Sequence, residues 1–285
     1  MSMKILMFGQ TGQVASEVQR QGDVIALGRD VADLSDPAAC AAAITAHRPD
    51  AVINAAAWTA VDRAEEEEAA TRMINAEAPG AMARACAELG IPFVHISTDY
   101  VFDGTGQAPW RETDPVSPQN AYGRTKLAGE EAVVAAGGTY AILRTSWVFS
   151  AHGANFVKTM LRLAQTRDAL NVVDDQIGGP TPADAIAAAC LNIAGQLSQD
   201  ASKSGIYHFG GQPAVSWADF ARAIFDRAGR GVTVTGIPTR DYPTPAARPL
   251  NSRLDCAAIG VAFGIRAPDW QAGLVRVLHD LEKTT

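Results

Sequence analysis

The sequence predicts an α/β protein built on a doubly wound parallel sheet, with a smaller mixed lobe at its carboxy-terminal end. Three observations carry the prediction. Apolar runs alternate with amphipathic stretches through the first half of the chain, a glycine-rich turn directly follows the first run, and several runs are almost continuously apolar. Alternating strand and helix makes right-handed βαβ units. A strand covered on both faces has no reason to alternate polar with apolar residues.

Lys4–Gly9, Asp23–Gly28, Ala51–Ala56, Pro92–Thr98 and Tyr140–Phe149 read as strands, separated by helical patterns at 12–21, 37–47, 65–89 and 122–136. The pattern is less regular beyond about residue 150. Asn155–Gln165, Pro182–Leu197, Ser216–Ala228 and Pro268–Leu281 read as helices, and short strands are expected at 170–173, 206–209 and 232–236. Turn-rich segments intervene at Gly178–Pro182 and Tyr242–Pro249. The expected division is a first domain over 1–150, which also receives strands near 170–181 and 232–240, and a second lobe over 151–285.

Composition narrows the function classes. The chain of 285 residues has a formal net charge of −7, which argues against a nucleic-acid surface. No apolar run is long enough to span a membrane, and Met1–Gly9 reads as a buried first strand rather than a leader. Cysteines at 40, 86, 190 and 256 are widely spaced and form no Cys-x-x-Cys, which speaks against zinc and against a disulfide framework. Reduced thiols in a cytoplasmic protein are the expectation. The one charge run, Glu65–Glu68, reads as the solvated first turn of a helix.

The turn after the first strand, Gly9-Gln10-Thr11-Gly12-Gln13-Val14-Ala15, opens a helix. Small residues there let backbone approach a pyrophosphate, and the helix amino terminus offers free N–H groups to the anion. The first domain is therefore expected to be Rossmann-like and to bind a dinucleotide through Gly9, Thr11, Gly12, Gln13 and Val14. At the tip of the second strand, Gly28-Arg29 favours the 2′-phosphate of NADPH, while Asp30 just beyond keeps NADH open as a second donor. Asp33 and Leu34 lie where a loop flanks the adenine, and Ala57, Trp58 and Thr59 follow the third strand beside the cleft.

The fourth strand ends in Ser97-Thr98, where a hydroxyl can hydrogen-bond a reacting carbonyl. Tyr122 and Lys126 are four residues apart in a helical pattern, which places phenol and ammonium on one face. A free phenol has a pKa of about 10. A neighbouring lysine charge lowers it, so the phenol can exchange a proton with a substrate oxygen.

Together the glycine turn, Ser97–Phe102, Tyr122-x-x-x-Lys126 and Arg144–Phe149 resemble the extended short-chain dehydrogenase/reductase family. Thr59–Asp62, Asp99–Gly104, Asn155–Leu161, Asp175–Thr181 and Arg248–Leu254 extend the resemblance over nearly the whole chain. The resemblance implies NADPH-dependent reduction of the C4 keto group of dTDP-4-dehydro-β-L-rhamnose to dTDP-L-rhamnose, the last step of dTDP-rhamnose synthesis. By the same resemblance Thr98, Tyr122 and Lys126 are catalytic. Tyr122 protonates the C4 oxygen, Lys126 lowers the phenol pKa and holds the nicotinamide ribose, and Thr98 stands where many relatives carry serine. Asp99 and Trp147 are then expected to contact the sugar, and Asn155 and Arg248 the diphosphate. Arg253 reads equally as half of a structural ion pair.

Some members of the family dimerise around a magnesium ion held by carboxylates, and Glu17, Asp184 and Asp280 fall at corresponding places. Two of the three are short-reaching aspartates, and solvated helix surface is the preferred reading for all three. Two alternatives stay open. A nucleotide-sugar epimerase or dehydratase retains its NAD, but a dehydratase is expected to carry an Asp-Glu pair after the strand-four threonine, and here Tyr100 follows Asp99. A non-catalytic NADP-binding regulatory subunit need not keep Thr98, Tyr122 and Lys126, which are all present.

Overall fold

The computed structural model describes residues 3–283. Its first five strands are β1 (Ile5–Phe8), β2 (Val24–Leu27), β3 (Ala51–Asn54), β4 (Phe93–Thr98) and β5 (Tyr140–Thr145). Eight short ones follow: β6 (Val148–Phe149), β7 (Ala169–Val173), β8 (Ile177–Gly178), β9 (Thr181–Pro182), β10 (Gly205–His208), β11 (Val215–Ser216), β12 (Thr233–Ile237) and β13 (Asn251–Ser252). The large sheet has the order β10-β5-β4-β3-β1-β2 and is parallel throughout.

The helices are α1 (Gln13–Gln21), α2 (Pro37–His47), α3 (Val61–Glu66), α4 (Glu68–Arg72), α5 (Ala78–Leu89) and α6 (Ala121–Ala135) in the first half. They continue as α7 (Phe156–Leu163), α8 (Ala183–Leu197), α9 (Trp217–Arg227), α10 (Ala257–Phe263) and α11 (Trp270–Lys283). Successive strand side chains point to opposite faces, and the core divides accordingly. Ile5, Met7, Ile53 and Leu143 meet α1, α8 and α10, while Leu6, Phe8, Val52 and Ile142 meet α2, α5 and α6. Capping sets the helix starts. Asp36 accepts from Ala39 N–H at 3.0 Å ahead of Pro37, and Asn120 accepts from Gly123 N–H at 2.8 Å. No helix among the described residues is long and apolar enough to cross a membrane.

Three features depart from the sequence reading. The helix expected over 65–89 begins at Val61 and is broken into α3, α4, a wide π-type turn at Met73–Glu77, and α5. Pro79 has no N–H to offer the Asn75 carbonyl one turn earlier. The Asn75 side chain is also drawn off to bond the Trp58 backbone, at 2.8 and 3.1 Å. The strand expected over Tyr140–Phe149 breaks after Thr145. Trp147 adopts φ +49°, and the chain resumes as β6 beside β9. Finally, the strands expected near 170–181 and 232–240 do not enter the large sheet. β7 pairs in parallel with β12 instead, because the apolar side chains of Leu170 and Val172 are covered by α7 and α9 in a core of their own. The strand that extends the large sheet is β10, beside β5.

Candidate active site

A cleft of about 910 Å³ runs along the carboxyl ends of β1, β3 and β4. The turn after β1, the tip of β2, the end of β4, one face of α6, and Trp147 and Trp217 from beyond β5 line it. At one end, Gly9 sits at φ +108°, and a Cβ there would come within 3.3 Å of the Ala55 backbone. Gly12 is the N-cap of α1 and offers no side-chain cap, and the first turn carries no acid. The leading N–H groups of α1 thus face the cleft without a side-chain partner, as an anion site requires. Thr11 and Val14 line the same end. Gln13 does too, but its side chain is engaged: Oε1 accepts from Ser150 and Asn155, each at 3.0 Å.

Gly28 and the exposed Arg29 line the cleft at the tip of β2. Asp33 and the buried Leu34 also line it, with the Asp33 carboxylate accepting from Ser35 N–H at 2.9 Å. Ala57 and Thr59 line the wall after β3. Trp58, expected with them, is not a lining residue. Its indole N–H donates to the Ala60 carbonyl at 3.2 Å and its ring carries Arg63 at 5.2 Å. The Asn75 carboxamide clamps its backbone through both its N–H and its carbonyl.

Thr98 and Tyr122 meet at the cleft floor. Asn120 caps α6 just before Tyr122, and Gly123 lets that first turn lie on the end of β4, since a Cβ there would fall 2.3 Å from the Tyr100 carbonyl oxygen. The Tyr122 ring stands edge-on to Tyr100 at 5.5 Å. Thr98 Oγ1 donates to Asp99 at 3.2 Å and accepts from Tyr100 N–H at 3.2 Å. Burial, joined by the Asp99 charge, pushes the phenol up to about 12, against a hydrogen bond with Thr98 that favours phenolate. The expected lowering by Lys126 is not met in the protein by itself. The buried Lys126 ammonium is itself disfavoured and pushed down to about 8, with Glu130 opposing, and it is directed at the Ile96 carbonyl at 2.7 Å. At neutral pH Tyr122 is therefore a protonated phenol, the form that can donate.

Asp99 is buried beside them. Burial pushes its carboxyl up to about 6, with Ser252 and Thr98 opposing, and its Oδ2 has no hydrogen-bond partner among the described residues. Trp147 stacks on Trp217 with ring centroids 3.6 Å apart and planes 12° from parallel. The left-handed backbone of Trp147 costs on the order of 1–3 kcal/mol and is held by its surroundings. Its ring lies over Gly178, where a Cβ would come within 2.7 Å.

Two expected diphosphate contacts are placed differently. Asn155 lines the cleft, but its Oδ1 caps α7 through Lys158 N–H at 3.1 Å. Its Nδ2 donates to Gln13 and to the Ser150 and His152 carbonyls, which makes it a brace between the α1 turn and α7. Arg248 stands outside the lining, with Nη2 on Asp62 at 2.8 Å and Nη1 buried without a hydrogen-bond partner among the described residues. Arg253 donates to Asn251 Oδ1 at 2.9 Å rather than to a carboxylate.

Glu17, Asp184 and Asp280, weighed above for a magnesium ion, do not fit one as they stand. Arg20 lies 3.1 Å from both Glu17 and Asp280, Arg276 lies 2.8 Å from Asp184, and His152 is 3.3 Å from Glu17. The carboxylates that a hard cation needs are already neutralised by guanidinium groups. The described residues contain no cluster of three or more His, Cys, Asp or Glu side chains placed to hold a metal ion.

Sequence reasoning missed Asn54, His95, Gly123 and Trp217. For the first two a signal existed: an asparagine and a histidine stand in strands that are otherwise apolar. The sheet, the uncapped turn and the Tyr–Lys helix are those of an extended short-chain dehydrogenase/reductase. Within that class, residues 3–283 match the family model described as RmlD substrate binding domain, and the chain belongs to this family. It is 44% identical over 289 residues to a dTDP-4-dehydrorhamnose reductase of Sinorhizobium fredii, covering 98% of each chain. It is 43% identical over 299 residues to one of Salmonella typhimurium, covering 99% of each. The crystal structure of dTDP-4-dehydrorhamnose reductase from Bacillus anthracis in complex with NADP superposes with a TM-score of 0.92 at 32% identity, over 98% of this chain and 100% of that one.

Proposed function

We propose that this protein reduces the C4 keto group of dTDP-4-dehydro-β-L-rhamnose to dTDP-L-rhamnose with NADPH, the last step of dTDP-rhamnose synthesis. The observation that carries the reading is one cleft joining an uncapped helix terminus to a centre of half-buried Tyr122 and buried Thr98 and Lys126. The names of the full-length relatives select the substrate, and the Bacillus anthracis complex supports NADP over NAD.

NADPH supplies hydride when bound. The turn from Gly9 to Val14 holds its pyrophosphate, and Arg29 meets its 2′-phosphate. Asp33, Leu34, Ala57 and Thr59 shape the walls around its adenosine half. Tyr122, a neutral phenol, gives its proton to the C4 oxygen as negative charge develops there. Thr98 turns its hydroxyl from Asp99 to the same oxygen and stabilises that charge. Lys126 reaches the floor from the next turn of α6 and holds the nicotinamide ribose. The paired indoles of Trp147 and Trp217 form a flat wall for the sugar, and the Asp99 carboxyl offers it a hydrogen-bonding group. Arg248, with one nitrogen unpartnered, is the candidate for a substrate diphosphate.

Mixing protein, NADPH and dTDP-4-dehydro-L-rhamnose and following reduced-nicotinamide absorbance tests the reading. Stoichiometric loss of NADPH with formation of dTDP-L-rhamnose is expected. Turnover without added cofactor would instead indicate a recycling epimerase or dehydratase, and binding without turnover a regulatory subunit.

A further inference from the structure

His95 lies inside β4 with no exposed surface, its ring stacked on Phe93 at 6.0 Å and 17°. Its Nδ1 is 3.1 Å from Asn54 Nδ2, and its Nε2 is 3.2 Å from Lys126 Nζ. Asn54 has no freedom to turn its amide, because its Oδ1 accepts from Ala56 N–H at 3.1 Å. The amide nitrogen that faces His95 can only donate. His95 Nδ1 must then accept, and the single proton of a neutral imidazole sits on Nε2. That N–H points at Lys126 Nζ. An ammonium has no lone pair to receive it, whereas an amine has one, and an amine still has hydrogens to give the Ile96 carbonyl at 2.7 Å.

We infer that Asn54 and His95 form a tautomer lock that biases Lys126 toward its neutral amine, making His95 a positioning residue that acts through Lys126. The groups around Lys126 agree except Glu130, whose charge favours the ammonium. Among the described residues, β4 gives Lys126 His95 and the Ile96 carbonyl, and the uncharged Asn54 from β3 reaches it through His95. From α6 come the Tyr122 phenol and, one turn on, Glu130, whose carboxylate is held by Arg144 and Ser97. No carboxylate among the described residues forms an ion pair with Lys126. Burial acts in the same direction, holding Lys126 at about 8 and keeping His95 well below the usual imidazole range. A lysine that titrates close to neutrality can take up and release a proton within a turnover, as the proposed reductase needs next to Tyr122. Only this last consequence rests on the proposed function.

The test uses full-length protein without cofactor. With ¹⁵N-labelled histidine, long-range proton–nitrogen correlation from about pH 6 to about pH 9 is expected to show His95 uncharged and protonated on Nε2. A proton on Nδ1, or an imidazolium, would overturn the inference. In protein with ¹³C-labelled lysine, the Lys126 midpoint is expected near 8. In His95→Gln it should rise by about one pH unit, because the carboxamide oxygen can turn to accept from an ammonium. An unchanged midpoint in a folded variant would also overturn it. If His95→Gln does not fold, the wild-type spectrum still decides. Neither readout uses turnover, so failure of the reductase assay leaves this test intact.

Discussion

Lys126 and Glu130 stand one turn apart on α6 and are equally buried, at 1% and 2% exposure, yet the fold treats them in opposite ways. Glu130 meets a full counter-charge. Arg144 from β5 donates to it from Nε and Nη2 at 2.6 to 3.2 Å, and Ser97 from β4 adds a hydroxyl. Arg144 in turn lies over the Phe102 ring at 5.1 Å and 3.4 Å from His208, which ties β10 to the same strut. Lys126 meets a carbonyl and an imidazole and no carboxylate. A buried charge with its partner becomes a rigid structural tie, whereas a buried charge without one is held near its titration point and stays reactive. The first locks α6 to the sheet, and the second is carried by that locked helix to the floor of the cleft.

Lys126, Glu130 and the groups each serves can be altered one at a time. The largest effect is expected from Tyr122→Phe, which removes the phenol proposed as the acid. Turnover should fall by roughly 10²–10⁴-fold with NADPH binding retained, measured by steady-state kinetics and fluorescence titration. Near-normal turnover would move the acid elsewhere. Glu130→Gln strikes the other side. It strands the Arg144 charge and should cost about 3–5 kcal/mol in urea unfolding. A loss under 1 kcal/mol would mean the strut is not what holds α6.

Lys126→Met sharpens the contrast through pH. The folded-state value near 8 lies below the ordinary 10.5, so below about 8 the wild type carries the full cost of burying the ammonium. Between the two values the unfolded chain binds more protons, and wild-type stability rises with pH. The stability advantage of the methionine variant should therefore be greatest at neutral pH and shrink as pH rises from 8 to 10.5. A gap that stays constant with pH would contradict a strained lysine. The smallest effect is expected at the far end of the cleft, where Arg29→Ala should weaken NADPH binding by roughly tenfold while sparing NADH. Equal loss of both would remove Arg29 from cofactor choice.

Much of the large sheet was readable because its signals are local. Continuous apolar runs, a glycine turn before a helix, and a Tyr–Lys spacing of four each depend on neighbours in the chain. The break at Trp147 was not readable, since its left-handed backbone is sustained by Trp217 and Gly178 from distant segments. The same holds for the exchange of β10 for β7 and β12 in the large sheet, because any short apolar strand pairs where its other face finds cover. For Glu17, Asp184 and Asp280 the sequence left a cation site open beside solvated helix surface, and only the placement of Arg20 and Arg276 against them shows how their charges are met.

By itself the sequence determined the βαβ framework, the glycine turn that opens α1 and the one-turn spacing of Tyr122 and Lys126 on α6. Tertiary structure alone decided in what state those side chains sit. The identity of a phenol or an amine is written in the chain, but its protonation depends on solvent exclusion and on partners from other strands. Folding brings Asn54, His95 and Glu130 around Lys126, and that surrounding, not the four-residue spacing, sets what the lysine can do.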